Sequence, residues 1–107
     1  MLKYYPILLE SRVIHQGNLG PYQYELHDSC KAHGKIQYLY VLFIFVPNQS
    51  TPVLCVAAEH AIYPPGELIF GIFAEDGHYN HGLQPDLTDV KVFFQRAVDN
   101  TRRFLVF

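Results

Sequence analysis

The sequence predicts an α+β domain, in which an antiparallel sheet of about five strands is covered on one face by a C-terminal amphipathic helix. Most of the chain consists of short, β-rich apolar runs separated by turn residues. The C-terminal part changes to the apolar period of a helix. Because the chain has 107 residues, we expect residues 1–107 to form a single domain.

The first two predicted strands are segments 4–16 and 22–27, separated by the turn-forming sequence QGNLGP at 16–21. Pro6 has no backbone N–H, so we expect the first strand to begin irregularly or to lie at the sheet edge. The second strand alternates as a half-buried antiparallel strand does. One face carries Tyr22, Tyr24 and Leu26, and the other carries Gln23, Glu25 and His27.

The third run, YLYVLFIFV at 38–46, is apolar on both faces. It predicts a central strand that is covered on both sides, or covered on one side and paired with another chain on the other. Segments 53–60 and 68–75 follow as further strands, and Gly71 suggests a bulge or a close packing partner. Segment 78–83 is either a short additional strand or a loop.

The C-terminal segment 85–107 predicts the helix. On a wheel of about 100° per residue its apolar positions fall within about 140°, and only Val92 lies outside this face. Asp86 or Thr88 is expected to cap the start, and Arg102 and Arg103 suit the negative C-terminal end. The predicted buried face comprises Leu87, Val90, Phe93, Phe94, Ala97, Val98, Thr101, Phe104 and Leu105.

The charge pattern argues against several functional classes. The net charge is −2, and the 8 Lys and Arg residues are dispersed, so nucleic-acid binding is not expected. The longest apolar run is far shorter than the roughly 20 residues of a membrane-spanning helix, and the N-terminus lacks a signal-peptide pattern. We therefore expect a cytoplasmic protein without a membrane partner. No cofactor-binding motif is visible, and we expect no cofactor.

The stretch HDSCKAH, residues 27–33, spaces two histidines and a cysteine at intervals of three. Zinc needs four ligands, and residues three apart in a continuous strand point to opposite faces. His27 and Cys30 would therefore not converge unless a turn or helix forms there. The favoured interpretation is a solvent-facing His27 and a small, buried Cys30.

A second polar cluster, EDGHYNH at 75–81, supplies candidate metal ligands or catalytic groups: Asp76, His78 and His81, with His60 at the end of the preceding strand. If segments 53–60 and 68–75 pair antiparallel, the ends carrying these groups lie at opposite edges and do not meet. In that case the cluster is a polar turn in which Asp76 caps the backbone. Cys55 lies in an apolar strand, where burial makes a thiol unreactive.

The leading functional hypothesis is a small non-enzymatic interaction module that binds itself as a homo-oligomer, or binds another protein. It depends on the two-sided apolar third strand, the apolar C-terminus and the tyrosine content, since tyrosine is enriched at interfaces. The predicted interface consists of Tyr22, Tyr24, Tyr38, Tyr40 and Phe107.

Two alternatives remain open. One is a small metalloprotein or hydrolase-like enzyme that uses the His and Asp residues near 76–81. The other is a ligand-binding domain with a tyrosine-lined cleft between the sheet and the helix.

Overall fold

The computed structural model describes residues 2–33 and 35–107 and shows one antiparallel sheet whose six strands follow chain order. The predicted α+β fold is confirmed, with six strands instead of about five, because segment 77–83 forms a strand and not a loop. The elements are β1 (Glu10–Leu19), β2 (Tyr22–Ala32), β3 (Lys35–Phe45), β4 (Leu54–His60), β5 (Leu68–Ala74), β6 (Gly77–Leu83), a 3-10 turn (Pro85–Thr88) and α1 (Val90–Thr101).

The first strand lies later in the chain than the sequence predicts. β1 begins at Glu10 and continues to Leu19, which pairs with Tyr22, so the turn between β1 and β2 is reduced to two residues. Gly20 has a φ of 57°, a backbone conformation that glycine adopts without steric cost. Residues 2–8 form neither helix nor strand.

One face of the sheet, which we call the helix face, is covered by α1. Phe93 and Ala97 are fully buried, and the Phe93 ring lies 5.4 Å from that of Tyr40 and 6.3 Å from that of Phe70. This is the packing that the apolar stripe of the helix predicts. The buried sheet residues beneath the helix are Tyr24, Leu26, Leu42, Ile44, Leu54, Val56, Ala58, Leu68, Phe70, Ile72 and Ala74.

The helix is shorter than predicted, and its cap is a different residue. Asp89, in an extended conformation, accepts a hydrogen bond from the backbone N–H of Lys91 at 2.9 Å, so it is the N-cap instead of Asp86 or Thr88. Asp86 lies in the preceding 3-10 turn, where its carboxylate forms an ion pair with Arg96. Of the described residues, none belongs to a helix long and apolar enough to cross a membrane.

The opposite face, which we call the N-terminal face, is covered by residues 2–8. Leu2 and Pro6 are buried there, and Tyr5 and Leu8 pack against the same cluster. The sheet residues that they help to cover are Cys30, Val41, Phe43, Cys55, Ala57 and Phe73. The chain itself therefore covers both faces of β3, which resolves the two possibilities that the apolar third strand had left open.

Candidate functional site

The predicted metal ligands do not assemble. Asp76 accepts a hydrogen bond from the Tyr79 hydroxyl at 2.6 Å, and the His81 ring contacts Phe70 on the helix face. His60 is exposed at the end of β4. Within residues 2–33 and 35–107, no three His, Cys, Asp or Glu side chains lie close enough to hold a metal ion.

His78 instead pairs with Glu59 of β4, a contact that the sequence did not indicate. Its Nε2 lies 3.0 Å from Oε2 of Glu59, and its ring stacks on Phe73 with centroids 4.0 Å apart. β4 and β5 are antiparallel, as predicted. The two side chains nevertheless meet because Gly71 of β5 lies between them, and a Cβ at Gly71 would overlap the Glu59 carboxylate. Gly71 thus has the close packing partner that the sequence suggested.

The environment of Glu59 changes its acidity. Burial raises the pKa of the Glu59 carboxyl above its usual value, and the neighbouring His78 partly opposes this shift. The carboxylate is the better shielded partner, with a side chain 19% exposed against 40% for His78. The pair is therefore a polar site within the largely apolar N-terminal face.

The cysteines are both free and buried. Burial raises the pKa of the Cys30 thiol to about 12 and that of Cys55 well above its ordinary value, so neither is activated as a nucleophile. Cys30 and His27 nonetheless share the N-terminal face, contrary to the expectation of opposite faces. An irregular register at this point, with Ser29 at a φ of 52°, shifts the alternation of β2 by one residue.

Four of the five predicted interface residues make contacts on the helix side of the sheet. The hydroxyl of Tyr40 donates to the backbone carbonyl of Thr88 at 2.9 Å, and Tyr24 is buried beside Phe94. Tyr22 lies edge-on to Phe107, with centroids 6.3 Å apart. Tyr38, the fifth residue, is partly buried on the N-terminal face.

The grooves differ from the predicted tyrosine-lined cleft. A groove of about 300 Å³ lies between the sheet and the residues that follow α1, and Tyr22 and Leu105 line it. A larger groove, of about 620 Å³, lies beside the hairpin of β1 and β2 and is lined largely by polar residues such as Gln16 and Asn18. The cleft between sheet and helix remains a prediction.

The main polar constellation of the N-terminal face is formed by Ser11, His27 and Glu25. Ser11 Oγ lies 2.8 Å from His27 Nδ1, and His27 Nε2 lies 3.0 Å from Glu25 Oε1. The His27 side chain is 12% exposed, so it is not the solvent-facing residue that the sequence predicted. The alternation of YQYELH had placed Glu25 and His27 on one face, whereas nothing in the sequence pointed to Ser11.

A groove of about 240 Å³ adjoins this constellation. Its floor and walls combine the polar triplet with aromatic and aliphatic side chains. The other lining residues are Tyr5, Pro6, Leu8, Phe43, Phe45, Ser50 and Pro52.

The edge strand β1 and the chain just before it carry exposed apolar side chains on the N-terminal face. Leu9 is 67% exposed and Val13 46% exposed. Every residue from Glu10 to Gln16 is exposed, although this segment lies in a hydrogen-bonded strand. An edge strand also presents backbone N–H and C=O groups that no neighbouring strand pairs.

Comparisons with protein families, with curated proteins and with solved structures found no match to this chain.

Proposed function

We propose that this protein is a small interaction module that forms a symmetric homodimer, in which β1 of one copy pairs antiparallel with β1 of the other. The observation that supports this proposal is the exposed edge segment Glu10–Gln16 with an apolar residue, Val13, at its centre. Long exposed edges with apolar side chains are natural sites for strand addition. The dimer would carry one continuous sheet through both copies.

The sequence around Ser11, from Leu9 to Val13, is complementary to itself. An antiparallel pair with its two-fold axis at Ser11 sets Leu9 of one copy opposite Val13 of the other, and Glu10 opposite Arg12. Apolar pairs at facing positions stabilise a sheet by about 0.2–1 kcal/mol, whereas Glu10 and Arg12 already form ion pairs with Lys31 and Asp28 of their own chain. A closed two-fold contact of this kind uses the same surface on both copies.

The irregularities of the sheet are compatible with this register. Between Glu10 and Arg12 the extra residue lies on β2, so β1 itself runs regularly there. Between Val13 and His15 the extra residue lies on β1, which ends the regular segment. The stretch 10–13 is therefore one regular part of the edge, and 15–19 is another.

This proposal changes the location of the predicted interface. The tyrosines chosen from the sequence are largely engaged within one chain, and residues 2–8 already cover the second face of the sheet. Association is supported instead by the edge of β1.

Sedimentation of Val13→Lys tests the proposal against a matched control. The wild-type protein should sediment at twice the 12.4 kDa mass of one chain. Val13→Lys should sediment at 12.4 kDa, because it removes both apolar contacts between Val13 and Leu9 and places charged side chains on the pairing edge. Leu83→Lys alters a similarly exposed aliphatic residue, 49% against 46%, on the opposite edge strand and should remain dimeric. A monomeric wild-type protein at high concentration would overturn the proposal.

A cysteine introduced at Ser11 tests the register. Facing residues of paired strands have Cβ atoms about 4.5–5.5 Å apart, which is close to what a disulfide needs. Ser11→Cys should therefore form a covalent dimer on mild oxidation, and the buried native thiols should not compete. Asn18→Cys, on the same exposed strand but far from the axis, should not cross-link. Equal cross-linking of both variants would contradict this register.

A further inference from the structure

We infer that Ser11 is a nucleophile toward small carboxylic esters, with His27 as its general base and Glu25 as the residue that positions the imidazole. This goes beyond the proposed dimer and does not require it, because the Ser11 hydroxyl lies on a face of the sheet and strand pairing uses its edge. The inference depends on one hydrogen-bonded chain of three side chains beside a groove.

The direction of the hydrogen bonds follows from the chemistry of the three groups. An ionised carboxylate can only accept, so the contact between Glu25 and His27 places a proton on Nε2. The neutral imidazole then has its lone pair on Nδ1, which faces the Ser11 hydroxyl at 2.8 Å. The hydroxyl therefore donates to a base, and the base is oriented by an acid, which is the order that nucleophilic catalysis requires.

The base is held in place, whereas the nucleophile is accessible. The His27 ring lies edge-on to Phe43, with centroids 5.0 Å apart, and its side chain is 12% exposed. Ser11 is exposed on the adjacent strand. Contacts from three directions, namely Phe43, Glu25 and Ser11, fix the ring, so the geometry does not depend on a mobile loop.

The adjoining groove defines the class of substrate. Its volume of about 240 Å³ and its Tyr5, Leu8 and Phe43 lining suit a short, apolar acyl group. The negatively charged Glu25 at its border disfavours an anionic substrate. Small, neutral esters are the class that fits these features.

The reaction has two balanced steps. Ser11 Oγ attacks the carbonyl carbon while its proton moves to His27 Nδ1; the bond to the alcohol oxygen then breaks, and the alcohol leaves with that proton. Water next attacks the acyl-Ser11 ester, with His27 accepting and then returning a proton. The products are the alcohol, the carboxylic acid and unmodified Ser11.

A second imidazole–carboxylate pair provides an internal control. Glu59 and His78 form the same 3.0 Å contact on the same face of the sheet. The described hydrogen bonds of His78 do not include a serine or threonine hydroxyl. Loss of His78 should therefore leave the reactivity of Ser11 unchanged, whereas loss of His27 should remove it.

Labelling with an alkyl fluorophosphonate, which mimics the ester carbonyl, tests the inference directly. Mass spectrometry should find one adduct, on Ser11, and none in Ser11→Ala. His27→Ala should label at least about 100-fold more slowly, the usual minimum contribution of a general base, and His78→Ala at the wild-type rate. Ser50→Ala, which changes the second serine of the groove, should also label normally. Absence of the adduct, or equal effects of the two histidine variants, would overturn the inference.

Two further measurements separate chemistry from folding. Free imidazole should restore part of the labelling of His27→Ala, which it would not do if the variant were merely unfolded. Glu25→Gln should slow labelling and shift the ¹⁵N resonances of the His27 ring toward the other tautomer, with the melting temperature nearly unchanged because Glu25 is 41% exposed. Unchanged ring resonances would remove Glu25 from its positioning role.

Discussion

The helix face and the N-terminal face of the sheet are both buried, but by different kinds of structure. α1 covers the helix face with a 12-residue hydrogen-bonded helix that has a side-chain cap at Asp89. The N-terminal face is covered by residues 2–8, which have no regular backbone hydrogen bonding of their own. A segment of this kind opens more easily than a helix, because its apolar contacts alone oppose the gain in chain entropy. The polar constellations at Ser11 and Glu59 both lie on this more weakly covered face.

Removing the largest buried ring of α1 should destabilise the cover of the helix face more than any of the other substitutions. Phe93 is fully buried, and we expect Phe93→Ala to lower the free energy of unfolding by about 3–5 kcal/mol, measured by urea denaturation. Phe94→Ala removes a partly buried ring from the adjacent position and should cost less. If both variants lose the same stability, the helix does not pack through the face described above.

Shortening Leu2 should show that the N-terminal cover opens locally. Leu2 is 6% exposed, and Leu2→Ala should cost about 2 kcal/mol, near the lower end for a buried leucine. It should also speed the reaction of Cys30 with a thiol reagent under native conditions, because Cys30 belongs to the cluster beneath it. If the Cys30 labelling rate rises in proportion to the loss of unfolding free energy in both Leu2→Ala and Phe93→Ala, α1 and residues 2–8 open together.

Removing the helix cap should have a smaller effect, confined to the helix face. Asp89→Ala leaves the N–H of Lys91 without its side-chain acceptor, and we expect a loss of about 1 kcal/mol in thermal or urea unfolding. Asp89→Asn keeps an acceptor at that position and should recover most of the loss. A thiol-labelling rate unchanged in both variants would confirm that the N-terminal face is unaffected.

The smallest expected effect is on the titration of Glu59. Burial raises the pKa of Glu59 in the folded protein above its value in the unfolded chain, which is near 4.5. The raised pKa therefore favours the folded state below pH 4.5, and this contribution to stability is lost as the pH rises through the pKa of the folded state. His78 lowers the Glu59 pKa, so His78→Asn should raise it further in a carboxyl ¹³C titration. His81→Asn should leave it unchanged, since the His81 ring contacts Phe70 instead. A lower Glu59 pKa in His78→Asn would contradict this assignment.

Periodicity was sufficient to predict the parts of the fold that are set by one apolar pattern. The stripe containing Phe93 and Ala97 identified the helix and its buried face, and the two-sided apolar run identified β3 as an inner strand. The cap was misplaced because Asp86, Thr88 and Asp89 all have suitable side chains, and the 3-10 turn starting at Pro85 selects the last of them. Local propensity does not distinguish such neighbours.

The polar sites could not be predicted because they depend on register. Ser11 meets His27 because of how β1 and β2 are aligned, and the alignment includes two irregularities that alternation does not reveal. Glu59 meets His78 across a strand, through space left free by Gly71. The sequence did mark Glu25 and His27 as same-face neighbours, and it marked Gly71 as unusual. Only the alignment of the strands shows that Ser11 contacts His27 and that Glu59 and His78 meet beside Gly71.

The order of the strands also has a consequence for how the protein forms. Because every strand pairs with its neighbour in the chain, the sheet is a series of hairpins and needs no crossover connection to form. During synthesis on the ribosome, these hairpins emerge one after another, starting from β1. The apolar residues of the helix face therefore remain exposed to solvent until residues 90–101 have left the exit tunnel. During this interval a nascent chain would most need a chaperone.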